Sequence, residues 1–179
     1  MKTKEVIPPL IEMRIDFPNL LVKTHYGNVY LKSMIRNKRT IVYINPSEMI
    51  PAGAADKKKF LQTLKTLKDM NFHLIGFNRR SFEEHLTSVN WLNSYIKDDL
   101  VFPIFYQTEN EPRECLEKDL PEKIDLKNPV YFLDENGTTQ AILNGTQPEA
   151  RSLEKIAELA SELVLREQNF QKNKVLRES

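Results

Sequence analysis

The sequence predicts an α/β fold, one mixed β-sheet flanked by helices, and three observations predict it. Short apolar and β-branched runs, RTIVYI (Arg39–Ile44), FHLIGF (Phe72–Phe77) and LVFPIFY (Leu100–Tyr106), alternate with longer segments whose apolar residues recur at helical spacing. Asn136–Gly137 lies between the apolar runs Val130–Leu133 and Thr139–Leu143, a strong signal for a β-hairpin. Strand–helix alternation followed by an antiparallel hairpin and a last helix is the order of a mixed sheet with helices on its faces.

Taken in order, Leu20–Lys23 and Asn28–Leu31 flank THYG and read as a small hairpin with Gly27 in its turn. Arg39–Ile44 has the continuous apolar character of a central strand covered on both faces. A proline-bounded loop, INPSEMIPAG, opens into a helix over residues 54–70. There Phe60, Leu61, Leu64 and Leu67 form the inner stripe, and Lys57, Lys58, Lys65 and Lys68 face water. After the strand at residues 73–77, Ser81 and Glu84 make a capping-box pair for a helix over 81–97, with Phe82, Leu86, Val89 and Ile96 inward. Pro103 gives the strand at 101–105 an edge position or an irregular end. A long polar connection follows, with one short helix around Arg113–Lys118. Pro148 then opens a final helix over 148–166, carrying Leu153, Ile156, Ala157, Ala160, Leu163 and Val164. The chain is expected to form one domain over residues 1–168, with 169–179 a polar, frayed tail.

The 26 basic and 25 acidic residues nearly cancel, so no basic footprint for nucleic acid or a membrane surface is expected. The N-terminus is too weakly apolar for a signal peptide, and no apolar run reaches membrane-spanning length. A cytoplasmic location is expected. The single cysteine, Cys115, excludes an intrachain disulfide. His25, His73 and His85 lack metal-ligand spacing, and His73 and His85 are expected to be packed or hydrogen-bonded rather than catalytic. No cofactor or metal is implied.

Several phrases in this order resemble the thioredoxin-like superfamily, and more narrowly its redoxin branch of peroxiredoxins and thiol peroxidases. FPNLLVKTHYGNVYL resembles the opening hairpin, RTIVYINPS the first core strand entering the active-site loop, and FHLIGFNRRSFEEH the second core strand with its helix. LVFPIFYQ and VYFLDENGT are similar to the third core strand and the late hairpin. The resemblance implies a reactive thiol in the loop after the first core strand. The family motif is proline, three residues, threonine, two residues, cysteine. Laid on this chain, Pro46 matches the first proline and Pro51 a further one, but Ile50 falls at the threonine and Gly53 at the cysteine. The arginine implied six residues before the aspartate that closes the late strand falls at Asn128.

Chemistry agrees with that departure. Peroxide reduction needs a thiolate at a helix N-terminus, where backbone N–H groups lower its pKa. It also needs a hydroxyl and a guanidinium to stabilise charge moving onto the leaving oxygen. Glycine, isoleucine and asparagine supply none of these. The leading reading is a catalytically degenerate peroxiredoxin-like protein, a binding or interaction module with an unidentified protein or small-anion partner. One alternative is a thiol-dependent peroxidase or oxidoreductase working through Cys115 or an unusual site; around Cys115, Arg113 and Lys118 favour the thiolate and Glu114 and Glu117 oppose it. The other is small-anion binding at the helix N-terminus near Gly53, among Ala52, Ala54 and Ala55. Homodimerisation is expected through Met49, Ile50, Trp91 and Tyr95, apolar or aromatic residues beside the loop and on the second helix.

Overall fold

The computed structural model describes residues 10–24, 27–49, 54–78, 104–107, 126–145 and 151–178. Among the described residues, eight strands form one mixed sheet. They are β1 (Leu10–Asp16), β2 (Leu21–Thr24), β3 (Gly27–Tyr30), β4 (Arg39–Ile44), β5 (Phe72–Asn78), β6 (Ile104–Gln107), β7 (Val130–Leu133) and β8 (Thr138–Leu143), in the order β1-β8-β7-β4-β5-β6-β2-β3. The helices are α1 (Leu31–Ile35), α2 (Ala54–Asp69) and α3 (Leu153–Glu178), and a 3₁₀ turn spans Pro46–Met49. The sequence-predicted helices over 81–97 and around Arg113–Lys118 lie outside the described residues.

β4 is the axis of the sheet because, after Arg39 at its start, its sequence carries no charged side chain. It pairs in parallel with β5 and antiparallel with β7, and every residue from Thr40 to Ile44 is buried. Its side chains alternate between two cores. Ile41 and Tyr43 pack with Phe60, Leu64 and Leu67 of α2 and with Leu153, Ile156 and Ala160 of α3. Val42 and Ile44 point the other way, to Phe17, Leu31, Ile35, Ile75 and Leu133. α2 therefore buries the stripe read from sequence, and Lys58, Lys65 and Lys68 are exposed. Asn71, at φ 62°, ends it in the left-handed conformation that asparagine tolerates better than most residues.

Several sequence expectations need correction. β1 was not anticipated. Its half-buried Ile11, Met13 and Ile15 alternate with exposed Glu12, Arg14 and Asp16, and it covers the outer edge of β8. The first hairpin pairs Thr24 with Gly27, so Gly27, at φ 122°, closes the turn, and Leu31 leaves the strand to begin α1. β6 is not an edge strand. It begins after Pro103 and is paired on both sides, with β5 and with β2. α3 begins at Leu153, where the Ser152 hydroxyl accepts a hydrogen bond from the Lys155 amide at 3.3 Å, the work of an N-cap. The helix does not stop near residue 166. Residues 167–178 contain no glycine or proline to break it, and it continues to Glu178.

Candidate functional site at the end of the central strands

β4 delivers the chain to the place where the resemblance puts chemistry. After Ile44 the backbone turns sharply at Asn45, which adopts φ 54° and donates its amide to the Phe77 carbonyl at 2.7 Å. The chain thus leaves the sheet while still tied to β5. Pro46 is buried and opens the 3₁₀ turn, whose last residue, Met49, is buried in the core beside Phe60 and Leu64. That corrects one expectation: Met49 is core and offers no dimer anchor.

Facing this turn is the loop that leads into β7. Leu126 is buried, and the Lys127 amide donates to the Asn144 side-chain oxygen at 2.8 Å, which pins the loop to the end of β8. Asn128 then takes φ 43°, and its Oδ1 accepts a hydrogen bond from Asn45 Nδ2 at 3.3 Å. Pro46 and Asn128, 82 positions apart, are therefore brought to one place, joined through the residue before Pro46. Ile50, Pro51, Gly53 and Cys115 lie outside the described residues, as do Trp91 and Tyr95.

The structure adds a residue that sequence reasoning missed. Arg151 precedes α3 and is 2% exposed. Its guanidinium lies over the Tyr43 ring, 4.5 Å from the centroid, and donates through Nη2 to the Ile44 carbonyl. The Tyr43 hydroxyl donates in return to the Arg151 carbonyl at 2.8 Å. The aliphatic stem passes so close to Gly145 that a β-carbon there would come within 2.1 Å of Arg151 Cδ and 2.6 Å of the Asn128 carbonyl oxygen. The sequence carries only a faint trace of this role, since a helix opening at Pro148 puts Arg151 in its first turn, where a cation is unfavourable. A cation immediately before a helix N-terminus opposes the helix dipole, so another contact must hold it there.

These groups bind one another. The asparagine amides pair, the guanidinium serves a backbone carbonyl and an aromatic face, and this end of the sheet holds no thiol or imidazole among the described residues. No cluster of three metal-ligating side chains occurs among the described residues either. His73 lies at the opposite end, at the start of β5, half-buried as expected of a packed residue. Burial lowers its pKa below 6.5, helped by the nearby Lys38 and opposed by a hydrogen bond to the Met34 backbone.

No protein-family model matches the chain. It is similar to a peroxiredoxin of Thermotoga petrophila, 25% identical over 142 residues, covering 79% of this chain and 66% of that one. It is also similar to a peroxiredoxin of Nanoarchaeum equitans, 24% identical over 148 residues, covering 82% and 67%. The chain thus spans about two thirds of the length of these relatives. Among solved structures it resembles the yeast mitochondrial 1-Cys peroxiredoxin, with a TM-score of 0.60 and 17% identity, covering 87% of this chain and 78% of that one. It also resembles a thioredoxin-family thiol:disulfide interchange protein of Chlorobium tepidum, with a TM-score of 0.54 and 14% identity, covering 84% and 96%. Likeness at these identities establishes the fold. The chain has a thioredoxin-like, peroxiredoxin-like α/β fold and carries a single cysteine.

Proposed function

We propose that this protein is a catalytically degenerate peroxiredoxin-like protein, a cytoplasmic homodimer that acts as a binding or interaction module. The observation that carries the reading is Asn128. At the position where the resemblance implies a guanidinium, the chain has a short amide on a left-handed backbone, spent on Asn45. The sequence supports it independently, with Gly53 at the cysteine position and Ile50 at the threonine position. Arg151 does not restore the lost function, since its guanidinium is buried against Tyr43 and directed at the Ile44 carbonyl. No helix among the described residues is long and apolar enough to cross a membrane.

The test is hydroperoxide consumption with a thiol reductant, by the intact protein and by Cys115→Ser. Neither is expected to exceed the rate of reductant alone. Robust turnover that disappears in Cys115→Ser refutes the reading and makes Cys115 the nucleophile of a thiol peroxidase. Gly53→Cys alone is expected to fall far short of a working peroxidase, because Ile50 and Asn128 still provide no hydroxyl and no guanidinium.

A further inference from the structure

Asn136 and Gly137 lie in the turn of the β7–β8 hairpin, and the same pair carries a chemistry that folding does not need. An asparagine carboxamide followed by glycine is open to attack by the glycine's own backbone nitrogen. Both groups sit on one short stretch of chain, and glycine has no side chain to hinder the approach. Asn136 is exposed to water, whereas Gly137 is buried. The hairpin holds the attacking atom in check. The Gly137 N–H donates to the Asp134 carbonyl at 3.1 Å, and Gly137 is held at φ 82°. The Asp134 carboxylate accepts from the amides of Asn136 at 2.9 Å and Thr138 at 3.0 Å. From outside the turn, the Phe17 amide donates to the Gly137 carbonyl at 2.9 Å and the Asn37 amide to the Glu135 carbonyl at 3.1 Å. Attack also requires the Gly137 nitrogen to lose its proton, and the neighbouring carboxylates of Asp134 and Glu135 disfavour that negative charge.

We propose that Asn136 is a site of intramolecular deamidation, gated by the opening of this hairpin. The Gly137 nitrogen, its proton taken by hydroxide, forms a bond to Asn136 Cγ. The bond from Cγ to the side-chain nitrogen breaks, and ammonia leaves with a proton from water. Water then adds to one of the two carbonyls of the resulting succinimide. Addition at the side-chain carbonyl gives aspartate, and addition at the main-chain carbonyl gives isoaspartate. Nothing is oxidised or reduced, and the net change is a carboxamide and water to a carboxylate and ammonium. Isoaspartate lengthens the main chain by a methylene between Glu135 and Gly137. The turn bond to Asp134 and the ties from Phe17 and Asn37 then lose their common register. Either product also adds a carboxylate to a groove wall that Asn136 lines, where four cations and four carboxylates now balance. Time spent open by the hairpin is thereby recorded as a permanent change of charge and register.

The experiment incubates the intact protein at mildly alkaline pH, folded and in guanidinium chloride, and follows residue 136 by peptide mass mapping. Isoaspartyl methyltransferase with S-adenosylmethionine counts the isoaspartate, and Asn136→Gln supplies the background. Conversion is expected in denaturant and is expected to be about tenfold or more slower in the folded protein. Asp134→Ala removes the acceptor of the Asn136 and Thr138 amides. It is expected to raise the folded rate about fivefold or more and to leave the rate in denaturant unchanged. Far-UV circular dichroism checks that this variant is folded. Denaturant below the unfolding transition opens the intact hairpin without a substitution and decides the matter if it is not. Protein enriched in isoaspartate is expected to unfold at lower denaturant than Asn136→Asp, which has the charge without the added methylene. Absence of conversion at residue 136 in denaturant overturns the site. Equal rates folded and unfolded, or a folded rate unmoved by Asp134→Ala and by mild denaturant, overturn the gate.

Discussion

The two ends of β4 are built on opposite plans. At its C-terminal end, polar groups are tied to one another: Asn45 to Asn128, the Lys127 amide to Asn144, and the buried Arg151 to Tyr43 and Ile44. At its N-terminal end, Arg39 opens into a groove walled by charged side chains, several of them exposed, under a helix that overhangs the sheet. The difference separates the form of the fold from the chemistry available on it. The end where the resemblance places a reaction is the self-satisfied one, and the end with room and charge to spare is the one remote from it. Polar groups bonded to one another across a sheet end hold it in one arrangement, whereas exposed charges over a cavity cost little to rearrange around a partner.

The sharpest way to break this comparison is to attack the closed end. Arg151→Ala removes a charge-assisted hydrogen bond, a cation–π contact and a buried stem, and is expected to cost about 3 kcal/mol in urea denaturation. Gly145→Ala forces a β-carbon into the Arg151 stem and the Asn128 carbonyl and is expected to cost about as much, about 3 kcal/mol. The two changes must not add. Once the Arg151 stem is gone, only the Asn128 contact remains, so the double variant is expected to lose clearly less than the sum of the singles. Strict additivity would mean that Arg151 does not hold this end together.

Asn128→Arg replaces the amide with the side chain that the resemblance implies. The left-handed backbone at φ 43° and the lost bond to Asn45 together are expected to cost about 1–2 kcal/mol. No peroxide turnover is expected to appear. Asn128→Gly keeps the backbone freedom and isolates the amide bond. A stable Asn128→Arg variant would show that this end tolerates a guanidinium at the position where the resemblance implies one, and the closed plan would then not be fixed by packing.

The elements legible in the sequence were those whose own side chains settle the matter. RTIVYI, the Phe60–Leu67 stripe and the Asn136–Gly137 turn each have one low-energy outcome, and each appears as read. β1 was missed because its alternation is ordinary on its own and gains meaning only from the edge of β8 it covers. The edge assignment of β6 failed for the same reason, since the hairpin that pairs with it is some eighty residues away in sequence. Of the site, the substituted positions were readable from spacing. Asn45 and Arg151 were not, because their roles depend on left-handed backbone and on a cation meeting a carbonyl more than a hundred residues distant. The full length of α3 is hard to read because its polar composition resembles a frayed tail, although nothing in it breaks a helix.

A smaller effect tests the core between the two ends. The Thr139 hydroxyl is fully buried and has no hydrogen-bond partner, at the point where both β1 and β7 shift register against β8. Thr139→Val replaces it with a methyl group of the same shape and is expected to stabilise the protein by about 1 kcal/mol. A loss of stability would show that the hydroxyl is satisfied in solution. His73 gives a pH test near the open end. Burial first, then Lys38, holds its folded pKa below the ordinary 6.5. The unfolded chain therefore takes up a proton before the folded one does. The stability due to His73 is present above pH 6.5 and declines as the pH falls through that value toward the lowered folded pKa. Denaturation midpoints on either side of 6.5 are expected to show that decline, and His73→Leu to flatten it.

The smallest expected effects belong to the ion pairs of the open end, and they bear most directly on its adaptability. Arg39 and Glu167 are 2.9 Å apart with side chains only 23% and 33% exposed, while Arg166 and Glu12 are both more than half exposed. Screening by water leaves an exposed pair worth little, and long side chains lose conformational entropy in making it. Glu167→Gln is expected to cost about 0.5–1 kcal/mol and Glu12→Gln a few tenths at most, by urea denaturation at low ionic strength. Both losses are expected to shrink as salt is raised, the second to nothing measurable. Equal, salt-independent losses would mean that the groove walls are locked as firmly as the Arg151 end, and the contrast between the two ends would fail. If the ordering holds, the groove can shift its walls at a cost well below that of disturbing Arg151.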